Sequence, residues 1–254
     1  MRELYIAEEW TKRFTDLINK HFDFADGENL LYINAGTGAH AFELDEKFGS
    51  KVDIFATCQN EDILNIAREK AVAISSNVDF SMIRFEDDSF DAVLADASFV
   101  SPQAYEETLD EAVRVAKNGG NIGVLSVTAG SFGEIFSMLW EVLFNQNIGE
   151  NGREAEQMIA ELPTISDAEA TAKRVGLENI KTFSGNEVFE FDNGSAFINS
   201  PLVEDFLLPV WLEPFADEER SRITKGLSDL IDKEDGNLSF RFTVKALLLT
   251  AEKV

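Results

Sequence analysis

A chain of 254 residues with a formal charge of −25 is long enough to bury a sizeable core, and its negative field repels phosphate backbones and anionic lipid surfaces. No nucleic-acid or membrane partner is expected. The single cysteine excludes an intramolecular disulfide and a Cys-based zinc site within one chain, and two histidines far apart in sequence argue against a metal centre.

The opening segment, MRELYIAEEWTKRFTDLINKHF, is amphipathic and mixes charges of both signs, with no basic stretch leading into an apolar one. No apolar run approaches the ~20 residues of a membrane span. A cytoplasmic protein is the expectation. The first half then alternates short apolar runs with helical patterns, which predicts a parallel sheet wound by helices. Strands are predicted at Asn29 to Asn34, Val52 to Thr57, Val78 to Ile83, Phe90 to Asp96 and Gly120 to Val127. A helix is expected from Glu61 to Ile74, where Ile63, Ile66, Ala67 and Ala71 recur on one face, and another from Pro102 to Ala116, with Asn118-Gly119-Gly120 as its stop.

After Val127 the rhythm changes. Gly130 to Asn147 reads as an apolar amphipathic helix, Gly149 to Gly152 as punctuation, and Ser166 as the cap of a helix ending near Gly176. Asn179 to Phe191 suggests a hairpin, with a turn at Asp192-Asn193-Gly194. Helices follow around Pro201 to Leu212 and Asp217 to Asp232, and FRFTVKALLLTAEKV reads as a closing strand that adds an antiparallel pair to the sheet. The aromatic residues Phe132, Phe136, Trp140 and Phe144, together with Met138, have helical spacing, fitting either core packing or a lid over an apolar substrate. Glu86, Asp87, Asp88 and Asp91 read as a solvated, charged loop.

Gly36-Thr37-Gly38 stands where the first strand turns into a helix. Glycine lets backbone N–H groups approach a ligand closely, and the helix N-terminus behind them favours negative charge. Gly36 to Ala41 fits the dinucleotide pattern G-x-G-x-x-A, but Ala56-Thr57-Cys58-Gln59-Asn60 supplies neither a ribose acid nor an arginine for a 2′-phosphate. A nicotinamide-dependent oxidoreductase is disfavoured on that ground.

The segment VDFSMIRFEDDSFDAVLADASF, with LLYINAGTG before it and EETLDEAVRVAKNGGNIGVLSV after it, resembles the class I S-adenosylmethionine-dependent methyltransferases, in particular their small-molecule, type 11-like branch. Ile83-Arg84-Phe85-Glu86-Asp87-Asp88-Ser89-Phe90-Asp91 matches that family's L-P-F-x-D-x-S-F-D loop, and the resemblance covers residues 5 to 130 and reaches the C-terminal strand. It implies an α/β, Rossmann-like fold: a mostly parallel seven-stranded sheet with helices on both faces and a C-terminal helical lid or insertion. The whole chain would be one domain, with residues 1–128 as the cofactor-binding half and 129–254 as lid and closing strands.

The resemblance also implies roles. Gly36, Thr37 and Gly38 would line the methionine and ribose side of S-adenosylmethionine, Asp79 would accept the adenine amino group with Phe80 beside the ring, and Asp96 would face methionine and substrate. Three positions depart from the family pattern: Tyr32 replaces an acid, Asn34 a glycine, and Cys58 the ribose-binding acid, with Gln59 and Asn60 beside it to compensate. Asp96 is the first candidate base and His40 the second. The implied reaction is methyl transfer to a small organic acceptor. A catalytically inactive binding or regulatory protein is the alternative, and a homodimer is left open.

Overall fold

The computed structural model describes residues 10–23, 28–98, 102–149, 152–234 and 239–254. Seven strands form one sheet in the order β3-β2-β1-β4-β5-β7-β6. They are β1 (Glu28–Ile33), β2 (Val52–Thr57), β3 (Asp79–Ser81), β4 (Phe90–Ala97), β5 (Ala116–Val127), β6 (Leu177–Phe191) and β7 (Phe240–Lys253). The first five are parallel, and β7 runs antiparallel to β5. This is the mixed sheet expected from the sequence.

By contacts along the chain, the residues divide into two compact units. One comprises residues 10–127, 164–185 and 246–254. The other comprises the described residues of 128–163 and 186–245, so β6 and β7 each pass from one unit into the other.

In the first unit, helices α1 (Lys12–His21), α2 (Ala39–Phe48), α3 (Glu61–Ile74), α4 (Pro102–Val115) and α7 (Ile165–Arg174) accompany the strands. One face of the sheet buries Leu31, Ile33, Val93, Ala95 and Val124 against Tyr105, Leu109 and Ala112 of α4 and Ala168 and Ala172 of α7. Towards the other face, Phe22 at the end of α1 packs so closely on Gly123 that a Cβ there would lie 2.6 Å from its ring. Such two-sided burial explains why β1, β4 and β5 read as nearly continuous apolar runs.

Several local expectations are corrected. Asn118-Gly119-Gly120 does not stop a helix but lies inside β5: Ala116 pairs with Phe90 and Asn121 with Ala92, so two steps on β4 oppose five on β5. Gly119 at φ 79° supplies the left-handed residue this bulge requires. The cap of α7 is Thr164, not Ser166: its hydroxyl accepts from the Asp167 N–H at 3.1 Å while the Asp167 carboxylate accepts from the Thr164 N–H at 2.9 Å, a reciprocal box that starts the helix earlier. The hairpin expected over Asn179 to Phe191 is instead one continuous strand. The acidic loop is not simply solvated: Asp87 pairs with Arg114, Asp88 with Lys253 at 2.7 Å and Asp91 with Lys117 at 2.6 Å. The predicted strand from Val78 to Ile83 is reduced to three residues at the sheet edge.

The second unit contains helices α5 (Gly133–Gln146), α6 (Arg153–Glu161), α8 (Gly194–Ile198), α9 (Leu208–Trp211), preceded by a π-helical turn at Val203–Leu207, and α10 (Asp217–Glu234). Phe132, Phe136, Trp211 and Phe242 form its aromatic core, with Phe132 within 6 Å of each of the others between ring centroids. Of the aromatic stripe on α5, Trp140 and Phe144 stack on each other at the surface. No helix among the described residues is long and apolar enough to cross a membrane.

Candidate active site

Strand order reverses between β1 and β4, and in a parallel α/β sheet such a switch opens a crevice at the carboxyl ends of the strands. The end of β1 is built from Asn34 to Gly38. Asn34, Gly36 and Gly38 all have positive φ (58°, 58° and 89°), so the chain reverses within five residues before α2 begins. Glycine meets that demand without strain, and asparagine is among the side chains that tolerate it best.

The two glycines do different jobs. A Cβ on Gly36 would meet nothing within 4 Å, so this part of the turn borders open space where a ligand can approach the backbone. A Cβ on Gly38 would overlap the Phe80 ring, which is buried and also packs edge-on against Phe42 at 5.4 Å. Phe80 therefore supports the turn from beneath.

Side chains from neighbouring strand ends bind the turn. The Asn34 N–H donates to Thr57 Oγ1 at 3.2 Å and the Ala35 N–H to the Thr57 carbonyl at 2.9 Å. Asn34 Nδ2 reaches across the switch to the Asp96 carbonyl at 3.3 Å. From the end of β2, the Cys58 thiol donates to the Gly36 carbonyl and Gln59 Nε2 to the Asn34 carbonyl, each at 3.3 Å. Burial pushes the Cys58 thiol up to about 11, against a smaller opposing pull from Arg68, so it stays protonated and able to donate. Asn60 caps α3, accepting from the Ile63 N–H at 3.0 Å.

Tyr32 and His40 are buried together behind the turn. His40 Nδ1 lies 3.1 Å from the Tyr32 hydroxyl and Nε2 lies 3.4 Å from Asn19 Oδ1. The consistent assignment is a neutral ring that accepts from the tyrosine and donates to the amide oxygen. Burial, with a smaller push from Lys47, lowers His40 to about 4, while burial and then the charges of Asp96 and Glu43 hold Tyr32 well above its ordinary value. Both ring nitrogens of His40 thus face partners inside the protein.

Asp96, one residue before the end of β4, is half-buried. Its Oδ1 accepts from the Ser98 hydroxyl at 2.6 Å and the Ser98 N–H at 2.9 Å, and the Ser98 hydroxyl in turn accepts from Trp10 Nε1 at 3.0 Å. Burial raises its pKa more than these bonds lower it. Sequence reading passed over Trp10 and Ser98. The Asp-x-Ser spacing is a local signal for a carboxylate that caps the N–H two residues on, but nothing local could pair Ser98 with a residue 88 positions away.

Asp79 is placed apart from this group. It opens β3 opposite Phe55 and is exposed, whereas the end of β3 is Ser81, level with Thr57. Ser81 Oγ is buried and has no hydrogen-bond partner among the described residues.

Residues 3–162 match the model of the ubiE/COQ5 methyltransferase family. A demethylmenaquinone methyltransferase of Shouchella clausii is 27% identical over 134 residues, 50% of this chain and 56% of that protein; the chain spans about half the length of the curated relatives it matches. Among solved structures, the YcgJ protein of Bacillus subtilis superposes with a TM-score of 0.59 at 17% identity, covering 95% of this chain and 98% of that one. Phosphoethanolamine N-methyltransferase 2 of Haemonchus contortus, solved with phosphomonomethylethanolamine and S-adenosylhomocysteine, superposes with a TM-score of 0.55 at 16% identity, covering 96% and 52%. At these identities the structural likeness is one of fold.

Proposed function

Because the chain belongs to the ubiE/COQ5 methyltransferase family, we propose that it transfers a methyl group from S-adenosylmethionine to a small organic molecule. The observation that carries this reading is the glycine turn at the β1/β4 switch, open beside Gly36 and bonded across the switch to the Asp96 carbonyl through Asn34. Bound there, S-adenosylmethionine supplies an electrophilic methyl group on a sulfonium.

The chain's own residues divide the remaining work. Backbone groups of Gly36, Thr37 and Gly38 bind the amino-acid end of the cofactor, since N–H groups at a helix N-terminus favour a carboxylate. Gln59 serves the ribose hydroxyls, and Asp79 the adenine amino group. Phe80 keeps the turn in shape. Asp96 accepts the proton that the nucleophile loses, and its raised pKa brings it closer to neutral pH, where a base works best. Alignment and exclusion of water carry most of the catalytic load, because the methyl donor is already activated.

A second reading, a methyltransferase-like protein that binds without catalysing, is favoured by one observation. Cys58 and Gln59 both donate back to the turn's own carbonyls, so the end of β2 presents no carboxylate to a ribose. Calorimetric titration with S-adenosylhomocysteine, with NADH as control, separates the readings. Micromolar binding of the former alone, followed by label transfer from methyl-labelled cofactor to a member of an acceptor panel, supports the enzyme. Binding with no transfer to any acceptor favours the second reading, and no binding at millimolar ligand removes the cofactor site.

A further inference from the structure

Asp96 has a neighbour that neither the family likeness nor the sequence motifs single out. An indole nitrogen can only donate, so the Trp10 Nε1–H bond to Ser98 Oγ at 3.0 Å fixes the direction of the chain that follows. With that lone pair taken, the serine proton points to Asp96 Oδ1 at 2.6 Å, and the Ser98 N–H joins it on the same oxygen at 2.9 Å. Oδ1 thus carries two donors, and Oδ2 has none among the described residues.

We propose that Ser98, oriented by Trp10, is the positioning residue of Asp96: it locks the carboxylate through Oδ1 and leaves Oδ2 as a single directed acceptor for a donor group of the ligand. A turn that merely closed the strand would need only the backbone N–H. Here a buried tryptophan is spent on orienting the hydroxyl, and bonds to a charged acceptor are roughly twice as strong as neutral ones. The placement of the clamp stands on geometry alone, whereas its service to methyl transfer rests on the function proposed above.

The charged and titratable surroundings allow a clean readout. From β1, Tyr32 feels the charge of Asp96 and is held protonated, and from α2, His40 is neutral above about pH 4. Glu43 of α2 acts on Tyr32 as well. β5 presents Leu125 opposite Asp96, which does not titrate.

Trp10 itself reports on the clamp. In the ¹⁵N-labelled 254-residue chain without ligand, its indole signal, assigned with Trp10→Phe among the three tryptophans, is followed from acid to neutral pH. The expected result is a titration with a midpoint above the usual aspartate range, retained in Glu43→Gln and abolished in Asp96→Asn. Ser98→Ala removes the indole's response and moves the Asp96 carboxyl midpoint, read by ¹³C, further upward; Ser98→Thr restores both. An indole signal that ignores pH, or that titrates unchanged in Asp96→Asn, overturns the clamp. Addition of S-adenosylhomocysteine then tests the function separately: a shifted Trp10 signal supports both, and an intact titration with no response to the ligand establishes the clamp while overturning the cofactor reading.

Discussion

The ends of β2 and β4 border the same turn and use their polar side chains in opposite ways. At the end of β2, Cys58 and Gln59 direct donors at the carbonyls of Gly36 and Asn34, so the thiol proton and one amide N–H are spent within the protein. At the end of β4, Asp96 is braced on one oxygen, and the other accepts from no donor among the described residues. The end of β2 thus braces the turn, whereas the end of β4 presents a carboxylate oxygen that accepts from no described residue.

The largest expected effect comes from breaking the turn that both ends share. Gly38→Ala forces a side chain into the Phe80 ring at φ 89°, and the left-handed penalty plus overpacking should cost about 3 kcal/mol in urea denaturation. A loss under ~1 kcal/mol would mean that Phe80 does not hold the turn.

Nearly as large is the effect of pH on the buried pair behind it. His40 falls from 6.5 to about 4 on folding, so between those values the unfolded chain binds the additional proton. Stability from this group is full above pH 6.5 and declines by about 3 kcal/mol as pH falls to 4. His40→Gln should flatten the stability profile over that window, and an unchanged slope would assign the acid sensitivity elsewhere.

Cys58→Asp makes the end of β2 resemble the end of β4. A carboxylate there should tighten S-adenosylhomocysteine about tenfold, or ~1–2 kcal/mol, through charge-assisted bonds to the ribose. The same change removes the donor to the Gly36 carbonyl and buries a charge, so the ligand-free protein should lose stability. Tighter binding with lower stability is the signature; weaker binding would show that Cys58 does not stand at the ribose.

Smaller effects sharpen the edges of the site. Asp79→Ala should weaken the same ligand only about threefold, because an exposed carboxylate is screened by solvent. An undiminished affinity would move the adenine contact to the end of β3, at Ser81. Gln59→Ala removes one neutral bond at an exposed position and should cost about 0.5 kcal/mol of stability, so a loss above ~1 kcal/mol would give it a larger structural part than its geometry indicates.

The elements that frame the candidate site were legible from local sequence. The glycine turn, the strand before it and the acid at the end of β4 follow from periodicity and spacing, since apolar runs bounded by turn residues report what a strand must bury. The errors have a common cause. Asn118-Gly119-Gly120 reads as a helix stop until β4 imposes its register and makes it a bulge, and Asn179 to Phe191 reads as a hairpin until β7 offers a long partner. His40, a candidate base by sequence, gains its contacts with Tyr32 and Asn19 only in the folded chain.

The sequence by itself determined the alternation of strands and helices, the charge, the turn and the family resemblance, because each is written in neighbouring residues. Only the tertiary structure decided which polar groups are spent and which are free. Trp10 meets Ser98 across 88 residues and Cys58 meets Gly36 across 22, and a hydrogen bond is settled by proximity in space, which strand order and register establish.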